Sequence, residues 1–407
     1  MRWLTKALLC SLAAGMAGAP AHAEWITSWA ASPIPPSAAM GPMPATPSFH
    51  DLTIRQILRV SAGGEAIRLR LSNAFGTGPL AIGRARVAIL GPDGKEQPNS
   101  SRWITFDGQS SAIIPQGAPF VSDAVALNVP AFARLAVSLY LPGDTGPCTC
   151  HTTGLEPIEL SAPGNHSAAP FAPVSTAHYR AFLMGVELDD PAGAGTIVAF
   201  GDSITDGVGS TAGADRRWPD LLAERLKGRW GVANAGISGN RVLNDGFGIN
   251  ALARLDRDAL ALPGVKAIIL LEGVNDLGIA FARPNSPLAK AMHQSAKDRI
   301  DADRIIAGYR QIVTRAHARG IKVYGATILP YKGATYWSPE GEAARQEINA
   351  FIRSKGAFDG VIDFDAATRD PADPQRMREG FHAGDHLHGS DAGYQAMANA
   401  IPLDLFE

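Results

Sequence analysis

Ser203 lies in the segment Thr196-Ile-Val-Ala-Phe-Gly-Asp-Ser-Ile-Thr-Asp-Gly207, which reads as a buried strand that breaks at Gly201 and delivers the serine into a turn. Far along the chain, Gly384-Asp-His-Leu-His-Gly389 supplies an Asp and a His three residues apart, Asp385 and His388. A serine hydroxyl is a weak nucleophile at its free pKa. It needs an imidazole to take its proton and a carboxylate to hold that imidazole in the right tautomer. Ser203, His388 and Asp385 are the residue types for acyl transfer through a covalent intermediate. Such chemistry also needs donors for the oxyanion that forms on attack. Asn234-Ala-Gly-Ile-Ser-Gly239 follows a short strand around Val232 and ends in a glycine whose N–H can approach a substrate oxygen closely. Glu272-Gly-Val-Asn-Asp276 follows an apolar strand and places the Asn275 amide at another strand end.

The elements that must position these residues change character near residue 190. From 24 to 190 the chain is β-rich. Residues 52–60 and 66–72 alternate apolar and polar side chains, the period of half-buried strands, and Gly63-Gly64 between them is a hairpin signal. Further short apolar runs at 85–90, 124–129 and 135–141 predict a β-sandwich or jelly roll. Residues 190–195 read as a linker. Beyond it, apolar strands at 196–200, 267–271, 322–328 and 361–364 alternate with helical segments at 218–230, 303–319 and 342–355, and Ser390 is placed to cap a last helix. That alternation predicts an α/β domain over 191–407, a parallel sheet with helices on both faces in three α/β/α layers. In such sheets ligands bind at the carboxyl ends of strands, where Ser203 falls.

Four strand-end segments in this order, G-D-S, N-A-G-x-S-G, G-V-N-D and D-x-x-H, resemble the SGNH (GDSL) hydrolase superfamily. The likeness covers about half the chain, and the β-rich half before it is similar to a secreted two-domain branch of that superfamily. The resemblance implies Ser203 as nucleophile, His388 as general base and then acid, and Asp385 as its orienting carboxylate. It implies an oxyanion hole made by the N–H of Ser203, the N–H of Gly239 and the Asn275 amide. It further implies an ester hydrolase with no metal or organic cofactor, acting on a small-molecule or carbohydrate ester. Relatives often carry proline after the catalytic histidine, where this chain has Gly389.

Other assignments compete with this one. An O-acyltransferase would use the same triad with an alcohol in place of water, and a glycan-binding protein would keep the hydrolase half as a vestige. His386 and His388 form an H-x-H pair, but a zinc site normally needs three or four ligands and no third is signalled nearby. His382 and His293 carry no motif. Asp202 and Asp206 read as turn and cap residues, and Asp276 as a brace for the loop of Asn275. Tyr331, Tyr336 and Trp337 follow a strand on the same edge as Ser203, as does the stretch 278–301, and these rings could wall an acyl group or stack on a sugar.

Composition bounds the partners and the compartment. The net charge of the 407-residue chain is −2 with no block of like charge, so nothing marks a nucleic-acid surface. Arg2 and Lys6, an apolar run over 7–19 and Ala21-His22-Ala23 form a signal peptide over residues 1–23, which predicts export. That run is too short to span a bilayer. Cys148 and Cys150 are then the cysteines that remain, either as two thiols or as a small local disulfide.

Overall fold

The computed structural model describes residues 24–39, 45–168, 170–189, 193–281 and 300–407. The expected signal peptide, His293, residues 190–192 of the linker and most of the stretch 278–301 lie outside the described residues.

Thr196–Gly201 is buried at every position, as a continuous apolar run requires when a strand is covered on both faces. It pairs in parallel with Gly231–Gly236 on one side and Val265–Leu271 on the other. Lys322–Ala326 and Gly360–Ile362 extend the sheet, again in parallel. The spatial order of these five strands, in chain sequence, is 2-1-3-4-5. The connections therefore reverse direction beside Thr196–Gly201, and the crevice outside its carboxyl end is the switch point where α/β sheets bind ligands. Helices pack in two groups. Trp218–Arg225 contacts Asp391–Ala400, which contacts Phe364–Thr368; Ala302–His317 contacts Ala251–Leu255 and Pro339–Arg353, which contacts Val274–Ala280. These are the outer layers, so the three-layer α/β architecture expected for this half is present.

Local chemistry starts these helices where the sequence indicates. Asp301, Ser338 and Ser390 accept the backbone N–H of Arg304, Gly341 and Gly393, each satisfying a donor that the helix cannot. Several elements end earlier than their patterns predict, and the strand expected over 361–364 is Gly360–Ile362, because Asp363 caps a short helix that Phe364 opens. The helix expected over 218–230 stops at Arg225, because Lys227 and Gly228 both take positive φ and turn the chain. The strand expected over 322–328 ends at Ala326, and the Ile328 N–H is taken by the Asn349 side chain at 2.8 Å instead of a ladder partner.

Residues 24–189 contain no α-helix among the described residues and form two larger antiparallel sheets that share one apolar core. One correction arises here. Leu52–Arg59 pairs with Arg134–Leu141 and Ile158–Pro163, whereas Gly64–Ser72 pairs with Leu183–Asp189, so the two strands lie in different sheets and make no hairpin. The glycines between them serve close approach. A Cβ on Gly63 would sit 2.6 Å from the Val129 carbonyl, and one on Gly64 2.6 Å from that of Asp189. Cys148 and Cys150 are joined as a disulfide, buried in this core.

The halves meet along a polar seam. The Thr27 N–H donates to Thr196 Oγ1 at 2.9 Å, the Val232 N–H donates to Ser61 Oγ at 2.8 Å, and Glu156 bridges Arg180 and Arg217 at 2.5 and 3.2 Å. No helix among the described residues is long and apolar enough to cross a membrane.

Candidate active site

Ser203 opens a one-turn helix, Ser203–Asp206, at the end of the central strand. Asp202 caps it, its carboxylate accepting the Ile204 N–H at 2.9 Å. Gly201 is required just before the turn, because a Cβ there would lie 2.4 Å from the Leu271 carbonyl. Ser203 as a residue is 4 % exposed.

The segment 381–390 brings the imidazole to it. Asp385 and His388 lie on turns, not on a helix. Asp385 Oδ1 accepts the N–H groups of Leu387 and His388, each at 3.0 Å, which folds the segment back on itself. Its other oxygen meets His388 Nδ1 at 2.5 Å, and His388 Nε2 stands 2.8 Å from Ser203 Oγ. Burial alone would raise the Asp385 carboxyl, but the hydrogen bonds from the His388 ring and from both amides outweigh it and hold the group below the usual carboxylate range. It is an anion wherever a histidine is neutral. Gly389 lies against the Tyr394 ring, where a Cβ would come to 3.0 Å, and Tyr394 donates to the Val208 carbonyl at 2.6 Å. The aromatic ring thus braces this turn without a proline.

His386 goes elsewhere. Its φ is 60°, a conformation a non-glycine residue rarely holds, and its ring stacks on His382 with centroids 4.2 Å apart. Among the described residues no group of three or more His, Cys, Asp or Glu side chains is placed to hold a metal.

The two amide-donor segments are locked to each other. Gly239 has φ 78°, and a Cβ on it would strike Phe247 at 2.6 Å, so both conformation and space demand glycine. Asn275, 7 % exposed, begins the helix Val274–Ala280. Its Nδ2 donates to the carbonyl of Asn240, the residue after Gly239, at 3.0 Å, and its Oδ1 accepts the Tyr336 hydroxyl at 3.3 Å. These partners fix which way the amide faces and leave its second N–H for another acceptor. Asp276, expected to brace the loop of Asn275, ties it to the opposite segment by accepting the Val242 N–H at 2.9 Å. Burial pushes the carboxyls of Asp202 and Asp276 up to about 7.

Of the three expected wall rings, Tyr336 and Trp337 are partly exposed, but Tyr331 is 1 % exposed and packs beneath Tyr336 with centroids 5.9 Å apart. Tyr331 is thus enclosed behind Tyr336 and has little surface to offer a ligand.

Arg254 carries no motif and is the residue that sequence reasoning missed. Fully buried against the Phe200 ring, it donates to the carbonyls of Gly201 and Ala235, to Asn240 Oδ1 and to Glu272. One guanidinium thus joins the ends of the three strands that lead to Ser203, Gly239 and Asn275. Its signal was an arginine on the face of Ala251 and Leu255, which the helical pattern makes apolar.

A nucleophile-type serine within reach of a histidine–carboxylate pair, at the switch point of a five-stranded parallel sheet, places the chain among the α/β hydrolytic proteins. Residues 199–396 match the GDSL-like lipase/acylhydrolase family, to which this part of the chain belongs. The protein is a carboxylic ester hydrolase. The search of curated proteins found no match. Solved structures similar to this chain include an acetyl xylan esterase (21 % identity, 50 % of this chain and 96 % of that one, TM-score 0.36). Others are the lipase/acylhydrolase from Enterococcus faecalis (21 %, 52 % and 95 %, 0.36) and a GDSL-like lipase from Bacteroides thetaiotaomicron (19 %, 52 % and 89 %, 0.38).

Proposed function

We propose that this protein is an exported serine esterase that hydrolyses short-chain acyl esters, acetylated carbohydrates among them, through an acyl-enzyme. The observation that carries the reading is the unbroken relay from Asp385 through His388 to Ser203, with contacts of 2.5 and 2.8 Å. His388 Nε2 takes the Ser203 proton as Oγ attacks the ester carbon. The oxyanion is held by the N–H groups of Ser203 and Gly239 and by the second N–H of Asn275. His388 then protonates the leaving alcohol, and a water activated by the same imidazole releases the acid. Asp385 holds the ring in the tautomer with its proton on Nδ1 and stabilises the imidazolium.

Tyr336 supports the preference for small acyl groups. Its ring lies so close over Gly278 that a Cβ there would be 2.1 Å away, and its hydroxyl holds Asn275, so an aromatic wall narrows the space beside the amide. The signal-like residues 1–23 and the Cys148–Cys150 disulfide support export, since disulfides persist in oxidising compartments. The two antiparallel sheets around one core support a sandwich for the β-rich half. A panel of p-nitrophenyl esters of rising chain length, beside acetylated xylan, pectin and peptidoglycan, tests the reading. Turnover should peak at the shortest acyl groups. A maximum at long chains, or activity only with an alcohol acceptor, would contradict it.

A further inference from the structure

Gly239 is held from outside its own domain. The residue before it, Ser238, donates both its N–H and its hydroxyl to Asp206 Oδ2, at 3.0 and 2.7 Å. The serine has then spent its one hydroxyl proton. Thr153 Oγ1, 2.8 Å from Ser238 Oγ, must therefore be the donor in that contact. Asp206 in turn presents Oδ1 to His151 Nε2 at 3.0 Å, while His151 Nδ1 lies 2.9 Å from the carbonyl of Ser32. His151 and Asp206 are both buried, at 6 % and 3 % exposure. His151 and Thr153 belong to the β-rich half; Asp206 and Ser238 belong to the catalytic half, and Asp206 ends the turn that Ser203 begins.

The backbone of His151 is fixed. It sits in the two-residue strand Cys150–His151, paired with Arg180–Ala181, with the Ile34 N–H on the Cys150 carbonyl at 2.9 Å and the disulfide one residue away. Both ring nitrogens face acceptors, a carbonyl and a carboxylate. The ring can satisfy both only with a proton on each, as the cation.

We infer that His151, seconded by Thr153, is a positioning residue through which the β-rich half holds the Ser238–Gly239 loop for oxyanion binding, so that ester turnover depends on a half of the chain containing none of the reacting groups. This rests on the esterase reading above. It goes beyond a seam ion pair because the chain of contacts ends one residue from a proposed oxyanion donor, where small displacements are expensive: a shift of about 1 Å in a catalytic group can cost on the order of 10²-fold in rate.

The link should also respond to pH. Burial pushes the His151 ring toward the neutral form, but the charge of Asp206 and the hydrogen bonds to Asp206 and Ser32 outweigh it, against opposition from Arg217, and the ring titrates above its ordinary value. The two-donor state is therefore complete below the free imidazole value of about 6.5 and is lost as pH rises through the raised one. Arg59, Glu156, Arg180, Asp215, Arg217 and Asp220 line the same seam, and Glu156 pairs Arg180 and Arg217 to each other.

The test uses the full chain and p-nitrophenyl acetate, with His151→Ala, His151→Gln, Thr153→Val and Ser238→Ala made singly and in pairs. His151→Ala should lower kcat by about tenfold or more, short of the roughly 10²–10³ for deleting an oxyanion donor, with KM little changed. His151→Gln keeps one donor toward Asp206 and should recover part of the loss; it should also lack an alkaline fall in rate that the wild type shows. Losses in the pairs with Ser238→Ala should not multiply, because both act on one loop. If His151→Ala does not fold, Thr153→Val with Ser238→Ala carries the same expectation from the other contact. Variants within about twofold of wild type, or pair losses that multiply as independent sites do, overturn the inference while leaving the esterase reading intact. A wild type that turns over no ester sinks both.

Discussion

In the β-rich half, Leu52–Arg59 alternates buried and partly exposed residues from Ile54 onward, whereas Thr196–Gly201 in the other half is buried throughout. The difference decides where chemistry can sit. A half-buried strand spends one face on the core and offers the other to solvent, so its polar residues are scattered along it. A strand covered on both faces has no outlet except its ends, and its polar residues gather there. The segments just beyond the parallel strands thus carry Ser203, Gly239 and Asn275, while the β-rich half contributes through the seam. If this contrast is right, substitutions should fall steeply in effect from the strand ends of one half to the surface of the other.

The steepest test lies within a single turn. His388→Ala should lower kcat by roughly 10⁴–10⁶, as removal of a triad histidine does, while His386→Ala, two residues away and stacked on His382, should cost no more than a few-fold. Equal damage from both, with circular dichroism showing the fold retained, would mean that the wrong histidine has been assigned. Next in size, Asn275→Ala should reduce kcat by roughly 10²–10³ with a smaller effect on KM. A change in KM alone would make Asn275 a binding residue and require another oxyanion donor.

At the far end of the scale is Trp103, on a strand of the β-rich half, 42 % exposed and stacked under the Arg84 guanidinium at 4.4 Å. Trp103→Ala should leave kcat on p-nitrophenyl acetate within about twofold and cost about 0.5–1 kcal/mol of stability, the size of an exposed cation–π contact. Chemical denaturation and the ester assay on the same sample check both. A large kcat loss there would erase the contrast between the halves.

What could be read in advance follows the same division. The strand before Ser203, the caps Ser390 and Asp202, and the separation of Asp385 from His388 were all legible, because each rests on neighbours within a few residues. The sheet partners of Leu52–Arg59 were not. Gly63-Gly64 looks like a turn in sequence, and only the pairing of the flanking strands with distant partners shows it to be a crossing between sheets. Arg254 was hidden for another reason: a buried arginine leaves no pattern until the carbonyls it serves are brought together. Asp206 reads as a turn residue, and its partner His151 is 55 positions away in the other half.

The central claim is that the Ser203 hydroxyl is the nucleophile, and active-site labelling tests it most directly. A fluorophosphonate probe, followed by peptide mass spectrometry, should modify the wild type at Ser203 alone and leave Ser203→Ala unlabelled and without ester turnover, its fold unchanged. Stoichiometric labelling at a different serine, or full turnover by Ser203→Ala, would contradict the account.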